Sequence, residues 1–214
     1  EYLLSDQNVH YKNPKAWTFF SPDTAMYLFY ETNVSGNWDI YLVKYSLSGN
    51  FTNPIPLAVS DKDEKNLSSS TIDNRLVWEQ DAQIMYCERT FNYGFNITRI
   101  DSGNCKNPIV GNNYVVWEKV VNDSTHIYLS YYDGIIQNWV EPICVWDKGH
   151  NTNLFFSDGI VGSTENFCWE NVRDEKHNIA IAVYNRQVEF LDFLPEVNKY
   201  DPAVVDFPTL TKSD

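Results

Sequence analysis

Four glutamates in a shared local sequence are the residues of this chain whose type and spacing best suit chemistry. Each follows an aromatic residue at the end of an apolar run, and the four pairs are Tyr30-Glu31, Trp78-Glu79, Trp117-Glu118 and Trp169-Glu170. A ring of carboxylates could bind Ca²⁺ or a basic ligand. Alternatively, each carboxylate could accept hydrogen bonds from backbone N–H groups of a neighbouring loop, while the aromatic ring packs between sheets. Because a feature copied into every unit serves what every unit needs, we favour the structural interpretation.

The four histidines form a second candidate set, since imidazole is a common ligand of transition metals. They are His10, His126, His150 and His177. Nothing in their spacing fixes them close together, so no metal site is predicted from them. With the four glutamates they mark a candidate recognition face, which we expect to bind a protein or glycan ligand. The loops 32–38, 120–125 and 172–177 add acidic and amide side chains to this face.

Sequence signatures of common enzymes are missing. The chain has no G-x-S-x-G nucleophile elbow, no H-E-x-x-H zinc motif, no P-loop and no G-x-G-x-x-G dinucleotide motif. Two carboxylates from different units could support glycoside hydrolysis, because that chemistry needs a suitably spaced pair. We predict no catalytic residue, no metal and no cofactor, with Ca²⁺ at the glutamates as the alternative.

These candidate residues recur because the sequence itself repeats. Each repeat opens with Asn or Asp followed by Pro or Leu, at Asn13-Pro14, Asn66-Leu67, Asn107-Pro108, Asn153-Leu154 and Asp201-Pro202, with spacings of 53, 41, 46 and 48 residues. The aromatic-Glu pair follows, and then an alternating segment that begins at Trp38, Gln83, His126 or Asn178. One more apolar segment completes the repeat. Because polar turn residues separate the segments and helical periodicity is absent, each repeat predicts four β-strands.

Four strands in a repeat of this length are typical of a β-propeller blade. We therefore predict an all-β fold in which residues 1–214 form a single propeller domain or part of one. The predicted blades span 13–65, 66–106, 107–152 and 153–200, with 1–12 ending a preceding blade and 201–214 starting a further one. In such a blade, the loop before the first strand and the loop between the second and third strands lie on one face. The Asn/Asp-Pro pairs, the glutamates and the histidines are thus expected on that face.

The segments "SPDT" at 21–24 and "DIYLV" at 39–43 resemble the TolB-type, or WD40-like, family of β-propeller repeats. Blades of that family begin with Asp/Asn-Pro, often turn at Ser-Pro-Asp-Gly and carry an apolar-Ile-Tyr third strand. The resemblance implies a propeller and an extracytoplasmic bacterial location: secreted, cell surface or periplasmic. We expect a non-catalytic binding or scaffold module. The partial blades at both ends predict either a piece of a larger propeller, with further blades from the same protein, or a small ring closed by unusual pairing of the terminal strands. The alternatives are the propeller of a larger prolyl-oligopeptidase-like hydrolase and a glycan-active propeller.

The composition limits the partners of the chain. Its 214 residues include 29 acidic and 16 basic ones, which gives a formal charge of -13. That charge repels phosphate backbones, so nucleic acid is not an expected partner. No uninterrupted apolar segment approaches the roughly 18–20 residues that a membrane-spanning helix needs, so membrane insertion is not expected.

The chain has four cysteines, Cys87, Cys105, Cys144 and Cys168. Their spacing matches no zinc-binding motif. Buried thiols are the favoured interpretation of Cys144 and Cys168, which lie in apolar runs. If a disulfide forms, Cys87 with Cys105 is the expected pair.

Overall fold

The computed structural model describes residues 9–19, 25–46, 48–70, 74–90, 94–111, 114–161, 164–173, 175–185 and 203–205. These residues form strands, bends and turns, and none of them is in a helix. The strands are arranged in four antiparallel sheets, which confirms the prediction of an all-β fold. Accordingly, no helix long and apolar enough to cross a membrane is found in this part of the chain.

The four sheets follow one another along the sequence. The first contains β1 (Tyr11–Phe19), β2 (Ala25–Thr32), β3 (Asp39–Ser46) and β4 (Ile55–Ala58). The second contains β5 (Glu64–Ser70), β6 (Arg75–Gln80), β7 (Gln83–Arg89) and β8 (Phe95–Ser102). The third contains β9 (Cys105–Val110), β10 (Tyr114–Val121), β11 (Ser124–Asp133), β12 (Asn138–Trp139) and β13 (Ile143–Trp146). The fourth contains β14 (His150–Val161), β15 (Thr164–Arg173), β16 (Lys176–Asn185) and β17 (Ala203–Val205).

The third sheet has five strands where the repeat predicted four, because its outer strand is divided. Trp139 of β12 pairs with Tyr132, and β13 then pairs with the middle of β11. Pro142 lies in the gap and has no N–H to donate to the ladder, which accounts for the interruption. The first sheet shows the same arrangement in reduced form, since Phe51 makes an isolated bridge to Tyr45 before β4 begins.

Each Asn of the repeat lies inside the first strand of its sheet and not in the loop before it, which corrects the predicted placement. The four residues have positive φ values, at Asn13 (49°), Asn66 (57°), Asn107 (50°) and Asn153 (55°). At each of them the register with the second strand shifts, so the first strand carries a β-bulge. Asn tolerates the left-handed conformation better than most other non-glycine residues, which explains why it recurs there.

Adjacent sheets pack face to face in chain order. β5 contacts β1, β2 and β3, β9 contacts β5, β6 and β7, and β14 contacts β9, β10 and β11. The repeated tryptophans fill the spaces between sheets: Trp78 packs with the first sheet, Trp117 with the second and Trp169 with the third. None of the three is more than 1% exposed, which confirms that they pack between neighbouring sheets.

The strand β17 lies within residues 201–214, which were predicted to start a further blade. It pairs with β16, where Ala180 lies opposite Val204, and it supplies the outer strand of the fourth sheet. An edge strand such as β16 has unpaired backbone groups that a further segment can satisfy, and this is the physical reason for the pairing. The apolar segment 188–193, expected at that position, lies outside the described residues. So do residues 1–8, the turn at 21–24 and the Asp201-Pro202 pair.

None of the four cysteines is in a disulfide, so the suggested bond between Cys87 and Cys105 is not formed. Cys87 packs in the core between the first and second sheets, whereas Cys105 packs between the second and third sheets. The second sheet therefore separates the two sulfur atoms. Burial raises the pKa of each thiol to about 12.

Candidate functional site

Each sheet pairs its repeated glutamate with the asparagine of its own bulge. The side-chain amide donates to the carboxylate in all four sheets, from Asn13 to Glu31 (2.7 Å), Asn66 to Glu79 (2.9 Å), Asn107 to Glu118 (3.2 Å) and Asn153 to Glu170 (2.8 Å). The antiparallel pairing places the start of each first strand beside the end of the second strand. The asparagines and the glutamates therefore share one end of each sheet, as predicted. We call this end of the sheets the glutamate face.

Three of the glutamates also reach the neighbouring sheet. Glu31 accepts a hydrogen bond from the N–H of Leu67 (2.7 Å), Glu79 from that of Asn107 (3.4 Å) and Glu118 from that of Leu154 (3.4 Å). Every donor lies in the bulge of the next first strand. Glu31 and Glu118 are fully buried and Glu79 is 9% exposed, so the charged acceptors have little water to compete with these bonds. The hydrogen bonds expected from the structural interpretation are thus present at three glutamates.

A lysine completes the unit in three sheets, and the sequence analysis missed it. The ammonium groups of Lys12, Lys65 and Lys106 lie 3.2, 3.4 and 3.6 Å from the carboxylates of Glu31, Glu79 and Glu118. The lysines stay partly exposed, so they offset the buried charge at a small desolvation cost to themselves. The signal was available in the sequence, because each of these lysines directly precedes a bulge asparagine.

The fourth sheet departs from this pattern. Thr152 precedes Asn153 in place of lysine, and His177 supplies the partner, with its Nδ1 atom 2.5 Å from Oε1 of Glu170. Hydrogen bonds from His177 and Asn153 hold the pKa of Glu170 below its ordinary value. The Glu170 side chain is 29% exposed and the His177 side chain 69% exposed. This pair is therefore accessible from solvent, unlike the buried glutamates of the first and third sheets.

The histidines share the glutamate face but are not gathered into one cluster. His10 is exposed, and its backbone N–H donates to Oδ1 of Asn33 at 2.8 Å. His126 is partly buried and lies opposite Lys119 in the β10–β11 pairing, while His150 is exposed at the start of β14. No group of three or more His, Cys, Asp or Glu side chains that could hold a metal occurs in the described part of the chain. The recognition role assigned to the four histidines and four glutamates stays a prediction.

A second acidic site, which the sequence analysis missed, lies at the same end between the first and second sheets. It consists of Asp39, the first residue of β3, and Glu64, the first residue of β5. Both are fully buried, and polar groups link them: the amide of Asn37 contacts Oδ1 of Asp39 and the carbonyl oxygen of Ser60, and the hydroxyl of Ser60 donates to Oε1 of Glu64. Burial raises the pKa of Glu64 to about 7, the hydroxyl of Ser60 opposes this shift, and the neighbouring Asp39 adds to it. The adjoining loop 33–38 joins the second and third strands of the first sheet. In the next two sheets, a turn of two residues makes the same connection.

Comparison with known proteins does not identify a family. The sequence matches no protein-family model and no curated protein. Among solved structures, the chain is similar to an auxiliary nutrient binding protein from Bacteroides ovatus ATCC 8483, with a TM-score of 0.44 and 12% sequence identity. The similarity covers 79% of this chain and 46% of that one, so the chain spans less than half the length of that protein.

Proposed function

We propose that this chain is a β-propeller, or part of one, and acts as a non-catalytic binding or scaffold module of an extracytoplasmic bacterial protein. One observation carries the proposal: the repeated carboxylates join sheets. At three successive interfaces a glutamate accepts hydrogen bonds from its own bulge and from the backbone of the next sheet. Carboxylates that make these hydrogen bonds stabilise the architecture. We therefore assign ligand binding to residues that differ between the repeats.

The packing of the sheets supports the propeller. Four antiparallel sheets follow one another, and the first strand of each packs against the sheet before it. Radial packing of four-stranded sheets is the arrangement of a propeller. Among the described residues, no strand pair between the first and fourth sheets has a comparable contact. We infer that further blades of the same protein complete the ring.

The proposed ligand is a protein or a glycan that binds at the glutamate face. His10, His150 and His177 are exposed there, and the loop 33–38 lies at the same end. The formal charge of -13 favours a neutral or basic ligand over a polyanion. The extracytoplasmic location rests on the resemblance to TolB-type repeats and belongs to the same proposal.

Direct binding measurements test this function. The purified chain would be applied to an array of immobilised neutral polysaccharides and to an array of basic and neutral peptides. We expect binding to at least one class, with the affinity lowered at least tenfold in the double variant His10→Ala/His150→Ala. Both side chains are exposed, so the variant should fold normally.

The matched control changes two exposed residues at the opposite end of the third sheet. Ile135 and Ile136 are 77% and 60% exposed in the turn between β11 and β12. The variant Ile135→Ser/Ile136→Ser should bind as the wild type does. Equal loss in both double variants, or no binding to either array, would count against a recognition surface on the glutamate face.

A further inference from the structure

The buried Glu64 occupies a position that is neutral in the other sheets. Glu64, Cys105 and Asn151 each lie two residues before the bulge asparagine of their sheet. The equivalence is structural as well, since the N–H of Glu64 donates to the carbonyl of Trp38 and that of Cys105 donates to the carbonyl of Ala82. The fold therefore accepts a thiol or an amide where the second sheet has a carboxylate.

Asp39 is equally exceptional at its position. Asp39, Gln83 and His126 each precede the isoleucine that pairs with the repeated glutamate of their sheet. The corresponding residue pairs at the next two interfaces are Gln83 with Cys105 and His126 with Asn151, which contain no carboxylate. The acidic pair is thus particular to the interface of the first and second sheets, and the repeat does not require it.

Among the described residues, the pair has no counter-charge. Oε1 of Glu64 accepts a hydrogen bond of 2.5 Å from Ser60, but its Oε2 atom is buried and receives none. Within the described residues, neither carboxyl forms an ion pair with lysine, arginine or histidine. Thr32, directly opposite Asp39 in the β2–β3 pairing, is also buried with an unpartnered Oγ1. Two adjacent carboxyls removed from water cannot both stay ionised without a cation to compensate them; without a cation, the pair keeps a proton.

Further oxygen atoms gather at the same place. The Nδ2 atom of Asn37 lies 3.2 Å from Oδ1 of Asp39 and 3.2 Å from the carbonyl oxygen of Ser60, and it also contacts the carbonyl of Lys62. Residues 60 and 62 thus contribute backbone oxygens, and residue 64 contributes a carboxylate. A positively polarised amide group surrounded by acceptors marks an environment that favours a cation.

We propose that Asp39 and Glu64 form a Ca²⁺ site between the first and second sheets, completed by oxygens of the loop 33–38 and of residues 60–62. Ca²⁺ takes about six to eight oxygen ligands from carboxylates, amides and backbone carbonyls in flexible arrangements, which is the donor set present here. Its charge compensates the two buried carboxylates. The bound ion links the long loop of the first sheet to the first strand of the second sheet. This site is separate from the repeated glutamates, each of which is bound by an asparagine and paired with a lysine or a histidine.

Calorimetric titration of the chain with CaCl₂ at neutral pH tests the proposal, with MgCl₂ as a second titrant. We expect one Ca²⁺ bound per chain, weaker binding of Mg²⁺, and an affinity for Ca²⁺ at least tenfold lower in Glu64→Gln and in Asp39→Asn. The matched control is Asp123→Asn, which removes an exposed carboxylate from the β10–β11 turn and should leave the affinity unchanged. Tryptophan-sensitised Tb³⁺ luminescence provides a second readout, because Trp38 adjoins Asp39. Excess Ca²⁺ should displace the Tb³⁺ signal.

Thermal melts complete the test and show whether the variants are folded. At one CaCl₂ concentration, bound Ca²⁺ should raise the Tm of the wild type and of Asp123→Asn, and raise that of Glu64→Gln by less. No heat and no change of Tm at millimolar CaCl₂ would overturn the proposal, and the pair would then share a proton. An equal rise of Tm in Glu64→Gln and in the wild type would overturn it as well, since the ion would bind elsewhere.

Discussion

The carboxylate of Glu31 accepts a hydrogen bond of 2.7 Å from the backbone N–H of Leu67, so a fully buried side chain of the first sheet holds the bulge of the second. The same oxygen accepts a hydrogen bond of 2.7 Å from the amide of Asn13, and the other oxygen lies 3.2 Å from the ammonium group of Lys12. The bulge makes this geometry possible, because it releases a backbone N–H from the strand ladder. Bulge, asparagine and glutamate are therefore one unit that links neighbouring sheets.

Glu31→Gln should lower the free energy of unfolding by about 1.5–3 kcal/mol, the range for hydrogen bonds to a charged group. The amide keeps one acceptor but replaces the other with a donor that faces Lys12. Urea unfolding measures the loss. Glu141→Gln is the matched control, since Glu141 is exposed and the change should cost less than about 0.5 kcal/mol.

Glu118→Gln separates the repeated glutamates from the proposed cation site. We expect this variant to have a lower Tm than the wild type, because Leu154 and Asn107 lose a charged acceptor. The rise of Tm on adding Ca²⁺ should be the same in both proteins. If the variant lost the Ca²⁺ response, the carboxylates of the repeat would have to be reassigned to ion binding.

Trp117→Ala should lower the free energy of unfolding by about 3–5 kcal/mol, the usual cost of removing a large core aromatic. Trp117 is fully buried between the second and third sheets, and its indole N–H donates to Asp101 at 3.1 Å. Urea unfolding provides the measurement. Val34→Ala, at a side chain that is 56% exposed, serves as the control and should be nearly neutral. A loss below about 1 kcal/mol at Trp117 would contradict its role in joining the sheets.

The parts of this fold that could be read from the sequence depend on local periodicity. Alternating segments predicted strands, and an aromatic residue before each repeated glutamate predicted a side chain packed between sheets. The pairing of Glu31 with the next sheet could also be predicted, because a repeat must satisfy the same backbone groups in each copy. Position along a strand and the face of each side chain were sufficient for these inferences.

The features that were missed depend on contacts between residues with no local pattern. Asn-Pro is typical of a turn, so the bulges were assigned to loops, although a left-handed Asn serves both structures. Asp39 and Glu64 lie 25 residues apart and meet only when two sheets pack. Alignment of the repeats could have found them, because both stand at positions where the other sheets have neutral residues.

Two substitutions at Asn66 separate the backbone role of the bulge from its hydrogen bond. Asn66 has a φ of 57°, and its side-chain amide donates to Glu79 at 2.9 Å and to Oδ1 of Asn107 at 3.1 Å. Asn66→Gly removes both hydrogen bonds and keeps an unstrained backbone, so we expect a loss of about 1.5–3 kcal/mol. Asn66→Ala adds left-handed strain of roughly 1–2 kcal/mol. Urea unfolding should therefore give the highest free energy of unfolding for the wild type, a lower one for Asn66→Gly and the lowest for Asn66→Ala. Equal stability of the two variants would contradict the expected backbone strain in Asn66→Ala.

Thiol labelling tests the packing on both sides of the second sheet. Cys87 and Cys105 are buried, and burial raises the pKa of each to about 12, so the reactive thiolate is scarce between about pH 7 and pH 9. Cys144 and Cys168 are partly exposed. With iodoacetamide and mass spectrometry, the folded chain should be modified first at Cys144 and Cys168. Raising the pH from 7 to 9 should not make Cys87 and Cys105 react. All four should react in concentrated urea. Rapid modification of Cys87 in the folded chain would mean that the first and second sheets are not packed as described, because Cys87 lies in the core between them.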